Sequence, residues 1–168
     1  MKENYRRAMD GLYWLCIGIA GIGIAVQSVI IAWGVFTRYV LGTGSFWPEP
    51  ISIFIAIQVT FYGAAAVYRA NAHIALDMVA RRSPAATRRL LEWLVLLLMA
   101  AVSLFMIWWG ASLAYKTFFQ YYPEFQYIKV GAVYTAIPGG GLITLLFVIE
   151  KALGIAPASQ PIHGEEAP

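Results

Sequence analysis

Long runs without a charged residue divide the chain into four apolar segments. The runs hold 27, 19, 23 and 20 residues, and each lies between two charged residues: Asp10 and Arg38, Glu49 and Arg69, Glu92 and Lys116, and Lys129 and Glu150. A helix needs about 20 mainly apolar residues to cross the hydrocarbon core of a bilayer. The pattern therefore predicts four transmembrane helices, over about 11–38, 50–69, 84–115 and 130–152.

These helices predict an all-α integral membrane protein with one four-helix domain over residues 1–155. The segment 156–168 contains three prolines, a glycine and two glutamates, and this composition predicts a disordered cytoplasmic tail. A cleaved signal peptide has an apolar region of only about 7–15 residues. The first run is much longer, so we expect a retained helix.

The positions of lysine and arginine predict the orientation. With the N-terminus inside, nine basic residues fall in inner segments: Lys2, Arg6, Arg7, Arg69, Arg81, Arg82, Arg88, Arg89 and Lys151. Three fall in outer segments: Arg38, Lys116 and Lys129. Because cytoplasmic loops are rich in lysine and arginine, both termini are predicted to lie in the cytoplasm.

A polar stripe follows the second apolar run. Arg69, His73 and Asp77 recur at intervals of four residues, which brings them near one face of a helix. The spacing predicts a short interfacial helix in the cytoplasmic loop. Ser83 and Pro84 then match a helix N-cap followed by proline at the first helical position, and they predict the start of the third helix.

Composition excludes a water-soluble fold. The chain is 60% hydrophobic and 12% charged, whereas soluble domains are about a quarter charged. The net charge of +3 does not indicate nucleic-acid binding, because the basic residues lie between the apolar runs and follow the topology instead. The single cysteine, Cys16, allows no disulfide framework.

Two glutamines are the conspicuous polar residues inside the predicted spans. Gln27 and Gln58 both lie about 12–15 Å below the predicted outer surface, at 1.5 Å per helical residue. We expect the two side chains to hydrogen-bond to each other, which we call the intramembrane polar clasp. The alternative is a contact with a transported substrate. No ionisable residue lies in the middle of any run. Ion-coupled transport uses midplane carboxylates or a matched pair of broken helices, and the sequence shows neither, so this chain is not expected to transport a substrate alone.

Candidate chemistry is otherwise sparse. Neither His73 nor His163 has a serine, cysteine or metal-ligand companion at a useful spacing. The sequence predicts no catalytic residue, no cofactor and no metal site. Three glycines follow Pro138 without the lysine and hydroxyl of a phosphate loop. We interpret this segment as a kink or a close approach of helices.

The predicted outer turn between the first two spans is the most distinctive segment. It contains Arg38-Tyr39, then a Gly/Ser turn, then Trp47-Pro48-Glu49. Pro48 is expected to fix the backbone where the second helix begins. An exposed pair between Arg38 and Glu49 would contribute less than about 1 kcal/mol.

This order of motifs resembles the small permease subunit of tripartite ATP-independent periplasmic (TRAP) transporters, the DctQ-like or Q subunit. The matching residues span about 10–150: Arg38-Tyr39, Ser45, Trp47, Glu49, Gly63-Ala64-Ala65, Arg69, His73-Ile74 and Asp77. Pro50 stands where the family pattern has a second glutamate.

The resemblance implies a subunit of the bacterial inner membrane that scaffolds a large, M-type permease. A periplasmic, P-type substrate-binding protein would deliver an organic acid, and the large permease would couple its uptake to sodium. Arg38, Trp47 and Glu49 would contact the partner or membrane lipids at the outer rim. Arg69, His73 and Asp77 would order the inner interfacial helix.

Two other classes of protein are weaker alternatives. A membrane anchor of a redox or other multi-subunit complex would carry haem-ligating histidines within its spans, and this chain has none there. A small multidrug-type exporter would carry a carboxylate inside its first helix, and the first run contains none.

Overall fold

The computed structural model describes residues 2–70, 85–122 and 125–154. The first three apolar runs form single helices: α1 (Lys2–Tyr39), α2 (Pro48–Arg69) and α3 (Ala85–Thr117). The fourth run forms two: α4 (Val130–Tyr134) and α5 (Ala136–Ala152). Four helical segments are long and apolar enough to cross a membrane. The predicted class, a helical protein with four candidate spans, is confirmed at this level.

The observed helices extend beyond the predicted limits. α1 begins at Lys2 rather than near residue 11, and α3 continues to Thr117. Backbone hydrogen bonds continue into the charged flanks, where hydropathy no longer marks a helix. At the start of α2, Pro48 occupies the first turn as predicted.

Two predicted features lie outside the described residues. They are the interfacial helix containing His73 and Asp77, together with its Ser83-Pro84 cap, and the disordered tail over 156–168.

A short antiparallel pair of strands follows α3 and was not predicted. It comprises β1 (Tyr121–Tyr122) and β2 (Phe125–Lys129). The amide of Val130 donates to the carbonyl of Gln120 at 2.9 Å, which ties the end of the strand pair to the start of α4.

The interruption between α4 and α5 has a local cause in Pro138. Proline has no amide hydrogen, and its ring clashes with the carbonyl four residues earlier, which belongs to Tyr134. α4 ends at Tyr134, and α5 resumes at Ala136. The Thr135 hydroxyl donates to the carbonyl of Ala132 at 2.7 Å.

The helices are arranged as a layer in the order α1, α2, α5, α3. Each packs on its neighbour in that order, α4 packs on α3, and α1 is antiparallel to α2. Burial follows this order: 6% of the most apolar 18-residue window is buried in α1 and in α3, but 44% in the span containing α5. The flanking helices therefore present most of their apolar surface outward.

Glycines allow α5 to fit between its neighbours. A Cβ added to Gly140 would lie 2.9 Å from the Phe61 Cβ of α2. One added to Gly141 would lie 2.9 Å from the Met106 Cβ of α3. Of the two interpretations of the glycine run, the close approach of helices is therefore observed.

The bundle has two ends, which we call the Arg69 end and the Arg38 end. α1 begins, α2 ends and α5 ends at the Arg69 end, whereas the α1–α2 turn and the strand pair lie at the Arg38 end. The main cluster of buried side chains lies toward the Arg69 end, and its members come from α1, α2 and α5: Met9, Tyr13, Cys16, Ala65, Ala66, Tyr68, Ile143, Phe147 and Val148.

Candidate functional site

A buried ion-pair network at the Arg69 end joins three helices. Arg69 is the last residue of α2, and its side chain is 4% exposed. Its Nε donates to Glu150 Oε2, and one Nη donates to Glu150 Oε1, both at 2.7 Å. The same Nη donates to Asp10 Oδ1 of α1, also at 2.7 Å. The guanidinium therefore connects α2 to both α1 and α5.

Helix direction brings these three residues together. Asp10 precedes the first apolar run, while Arg69 and Glu150 follow the second and fourth runs. Successive spans cross a membrane in opposite directions, so these three run limits fall at one end of the bundle. The charged residues at these limits of the apolar runs are therefore the ones that form the ion pairs of the network.

Aromatic rings enclose the guanidinium. Its central carbon lies 5.3 Å from the ring centroid of Tyr13 and 5.3 Å from that of Phe147. Arginine over an aromatic face contributes about 0.5–2 kcal/mol, most when water is excluded. The rings also restrict water near the Arg69–Glu150 pair, which strengthens the attraction and raises the cost of losing either partner.

The two carboxylates of the network differ in environment. The Glu150 side chain is 3% exposed and binds the guanidinium through both oxygens, whereas Asp10 is 20% exposed and binds through one. Among the described residues, no group of three His, Cys, Asp or Glu side chains is placed to hold a metal ion. The geometry is suited to holding helices together.

The predicted rim residues lie at the Arg38 end. Arg38 is in the last turn of α1, Trp47 is the N-cap of α2 and Glu49 is in its first turn. All three are exposed, and no ion pair joins Arg38 to Glu49 in the described part of the chain. Large apolar side chains of the same turn are also exposed: Tyr39, Val40, Leu41 and Phe46.

The two intramembrane glutamines lie on adjacent helices and are half-buried. Gln58 lines an open apolar groove between α1 and α2, together with residues such as Ile22 and Val59. No hydrogen bond joins Gln27 to Gln58 within the ranges described. The clasp therefore stays a prediction.

Sequence reasoning identified Arg69 but assigned it other neighbours. His73 and Asp77 lie outside the described residues, and the partners observed are Asp10 and Glu150. The sequence does contain a signal for Asp10 and Glu150, because these residues and Arg69 all stand at the ends of apolar runs on the predicted cytoplasmic side. The local four-residue spacing drew the interpretation toward neighbours in sequence instead.

A family described as tripartite ATP-independent periplasmic transporters, DctQ component, matches residues 27–157. No curated protein matches the chain. The match covers the turn with Arg38, Trp47 and Glu49, and it covers Arg69 and Glu150 of the network.

Proposed function

Because the chain belongs to the DctQ component family of tripartite ATP-independent periplasmic transporters, we propose that it scaffolds the large permease during uptake of an organic acid. The chain is a small permease subunit and a multi-pass membrane protein. In the proposed function, uptake is driven by sodium and depends on a periplasmic binding protein. The large permease carries the substrate and the ion.

The exposed flanks of the helix layer carry this proposal. α1 and α3 expose large apolar side chains along their length, among them Val29 (70%), Leu97 (69%) and Trp108 (76%). Lipid or an apolar protein surface must cover them. No charged side chain interrupts the interior of the four apolar runs. A surface of this kind can hold a partner within a membrane, but it offers no charged path for an ion or an acid.

The orientation and location are part of the proposal. An inner-membrane subunit with both termini in the cytoplasm has its Arg69 end at the cytoplasmic surface and its Arg38 end at the periplasmic surface. Support comes from the nine-to-three distribution of basic residues.

The rim residues are proposed to act at the periplasmic surface. Arg38 and Glu49 are exposed charges beside exposed aromatic and aliphatic side chains. Aromatic residues favour the headgroup region, where arginine can bind phosphate. We assign this turn to contacts with the permease or with membrane lipids.

The test is dependence of uptake on this chain. The large permease and the binding protein are expressed with and without it, and uptake of labelled organic acids is measured in a sodium gradient. We expect uptake only when the chain is present, and recovery of the chain with the permease in mild detergent. Permease-dependent uptake without the chain would exclude the scaffold function.

A second arm separates scaffold from transporter. Proteoliposomes containing only this chain are tested under the same gradient. We expect no accumulation of substrate. Sodium-driven accumulation by the chain alone would show that it carries the substrate itself, in conflict with the proposal.

A further inference from the structure

The helix layer consists of two antiparallel pairs that meet along one line. α1 packs on α2, α3 packs on α5, and the pairs are joined mainly through the contact between α2 and α5, with smaller contacts of α1 with α5 and of α2 with α4. The angle between α2 and α5 therefore sets the angle between the outer faces of α1 and α3. Those faces are the surfaces that the proposed scaffold presents to its surroundings.

The α2–α5 contact is fixed at two separated points. The first is the close approach of Gly140 to Phe61, where an added Cβ would also lie 3.2 Å from the Phe61 carbonyl oxygen. The second is the bidentate pair of Arg69 with Glu150. Eight residues separate the points on α2 and ten on α5, which is about 12–15 Å of helix.

Two separated contacts prevent a rotation of α2 relative to α5 that a single contact would allow. Helices that touch at a single close approach can rotate about it, since apolar contacts have little directionality. Between the two points the buried side chains are mostly apolar, including Ala65 and Ile143, and the hydroxyl of the buried Thr144 donates to the Gly140 carbonyl within α5 itself. The bidentate pair has a fixed planar geometry, so it removes the rotation that packing alone permits.

The contact between Asp10 and Arg69 lies within the α1–α2 pair. It joins α2 to α1, and these helices already pack along most of their length, from Gly34 against Pro48 to Ala20 against Gly63. Losing Asp10 therefore removes one of many connections between α1 and α2. Losing Glu150 removes the bidentate connection between the two pairs, and it leaves between them a longer hydrogen bond with one donor, from the Tyr5 hydroxyl to the Leu146 carbonyl at 3.3 Å.

We propose that Arg69 and Glu150 are positioning residues that set the angle between the α1–α2 pair and the α3–α5 pair. This inference rests on the proposed scaffold function, and it assigns the angle itself as the property that transport requires. Asp10 strengthens the network without setting the angle.

The experiment measures that angle in the assembled transporter. Leu15 of α1 and Leu94 of α3 are each 54% exposed and lie toward the Arg69 end of the two outer helices. Both are replaced by cysteine and carry nitroxide labels, and the distance between the labels is measured by double electron–electron resonance. The native Cys16 is fully buried and is not expected to react.

Four variants divide the possible outcomes. Arg69→Lys keeps the charge but cannot form the bidentate pair, and Glu150→Gln removes the charge of one partner. We expect both variants to broaden the distribution of label distances. We also expect uptake to fall about tenfold, as for loss of a charged hydrogen bond. Recovery of the chain with the permease should continue. Asp10→Asn should keep a narrow distribution of label distances. Arg7→Gln, in an exposed pair with Glu3, should keep both a narrow distribution and near-normal uptake.

Three results would overturn the inference: narrow distances in both Arg69→Lys and Glu150→Gln, equal broadening in Asp10→Asn, or a broadened distance with unchanged uptake. If Glu150→Gln is not recovered, Arg69→Lys decides. Uptake that persists without the chain refutes the scaffold function instead. A distance insensitive to these variants, with uptake still dependent on the chain, refutes only the positioning role.

Discussion

Gly110 of α3 lies directly against Pro138 of α5: a Cβ at position 110 would be 2.9 Å from the proline Cδ and 3.0 Å from its nitrogen. The proline ring is rigid and lies in the first turn of α5, just after the interruption of the fourth span, so it cannot move aside cheaply. The absence of a side chain at position 110 therefore lets α3 pack against the interruption.

Gly110→Ala should destabilise the protein by about 1–3 kcal/mol, because the added methyl overpacks a tight contact. The measurement is the free energy of unfolding in mixed micelles. Gly21→Ala is the matched control, since nothing lies within 4 Å of its added Cβ, and alanine there gains up to about 1 kcal/mol of helix propensity. Equal stability of the two variants would contradict the assignment of Gly110 to close packing.

Two glycines of the fourth span should respond differently to the same substitution. A Cβ at Gly131 would meet backbone, 2.5 Å from the Phe118 Cα and 2.7 Å from the Ala114 carbonyl oxygen. A Cβ at Gly139 would meet the Tyr62 hydroxyl at 3.0 Å, the far end of a side chain that can shift. Gly131→Ala should lower the thermal midpoint in detergent more than Gly139→Ala, and the reverse order would refute this reading of the contacts.

The orientation can be tested with single cysteines. Thr43→Cys in the α1–α2 turn and Asn4→Cys near the start of α1 are both exposed positions. In intact cells, a membrane-impermeant maleimide should label position 43 and leave position 4 unlabelled until the membrane is opened. The unmodified chain is the control, because Cys16 is fully buried. Labelling of position 4 from outside would reverse the assigned topology.

The rim is tested by Trp47→Ala combined with Glu49→Ala. We expect weaker recovery of the complex and lower uptake with normal membrane insertion, since the pair supplies an exposed ring and a charge at the Arg38 end. Trp14→Ala, an exposed tryptophan toward the Arg69 end, serves as the comparison and should change neither property as strongly. Unchanged uptake in the double variant would remove the rim role.

The four candidate spans were predictable because each depends on local composition alone. The order of the helices was not, because helices exposed mainly to an apolar environment need no strongly polar face to mark which side packs. The glycine run after Pro138 suggested a close approach, but only the structure shows that Gly140 faces α2 and Gly141 faces α3.

The partners in the ion-pair network were also beyond what local sequence patterns could predict. Arg69, His73 and Asp77 form a visible four-residue spacing, and that spacing suggested local partners. The observed partners are 59 and 81 residues away, and one of them precedes Arg69 in the chain. Such pairing depends on which helix ends share one side of the bundle, which no single segment of sequence specifies.

The central place of α5 also constrains the order in which the protein can assemble. During synthesis α1 and α2 can pair as soon as both have left the ribosome, but α3 has its main neighbours in α4 and α5, which are made later. Until α4 and α5 are made, α3 lies in the bilayer without its main packing neighbours. A nascent chain stopped before α5 should therefore contain a finished hairpin beside a solitary helix, a target for membrane quality control.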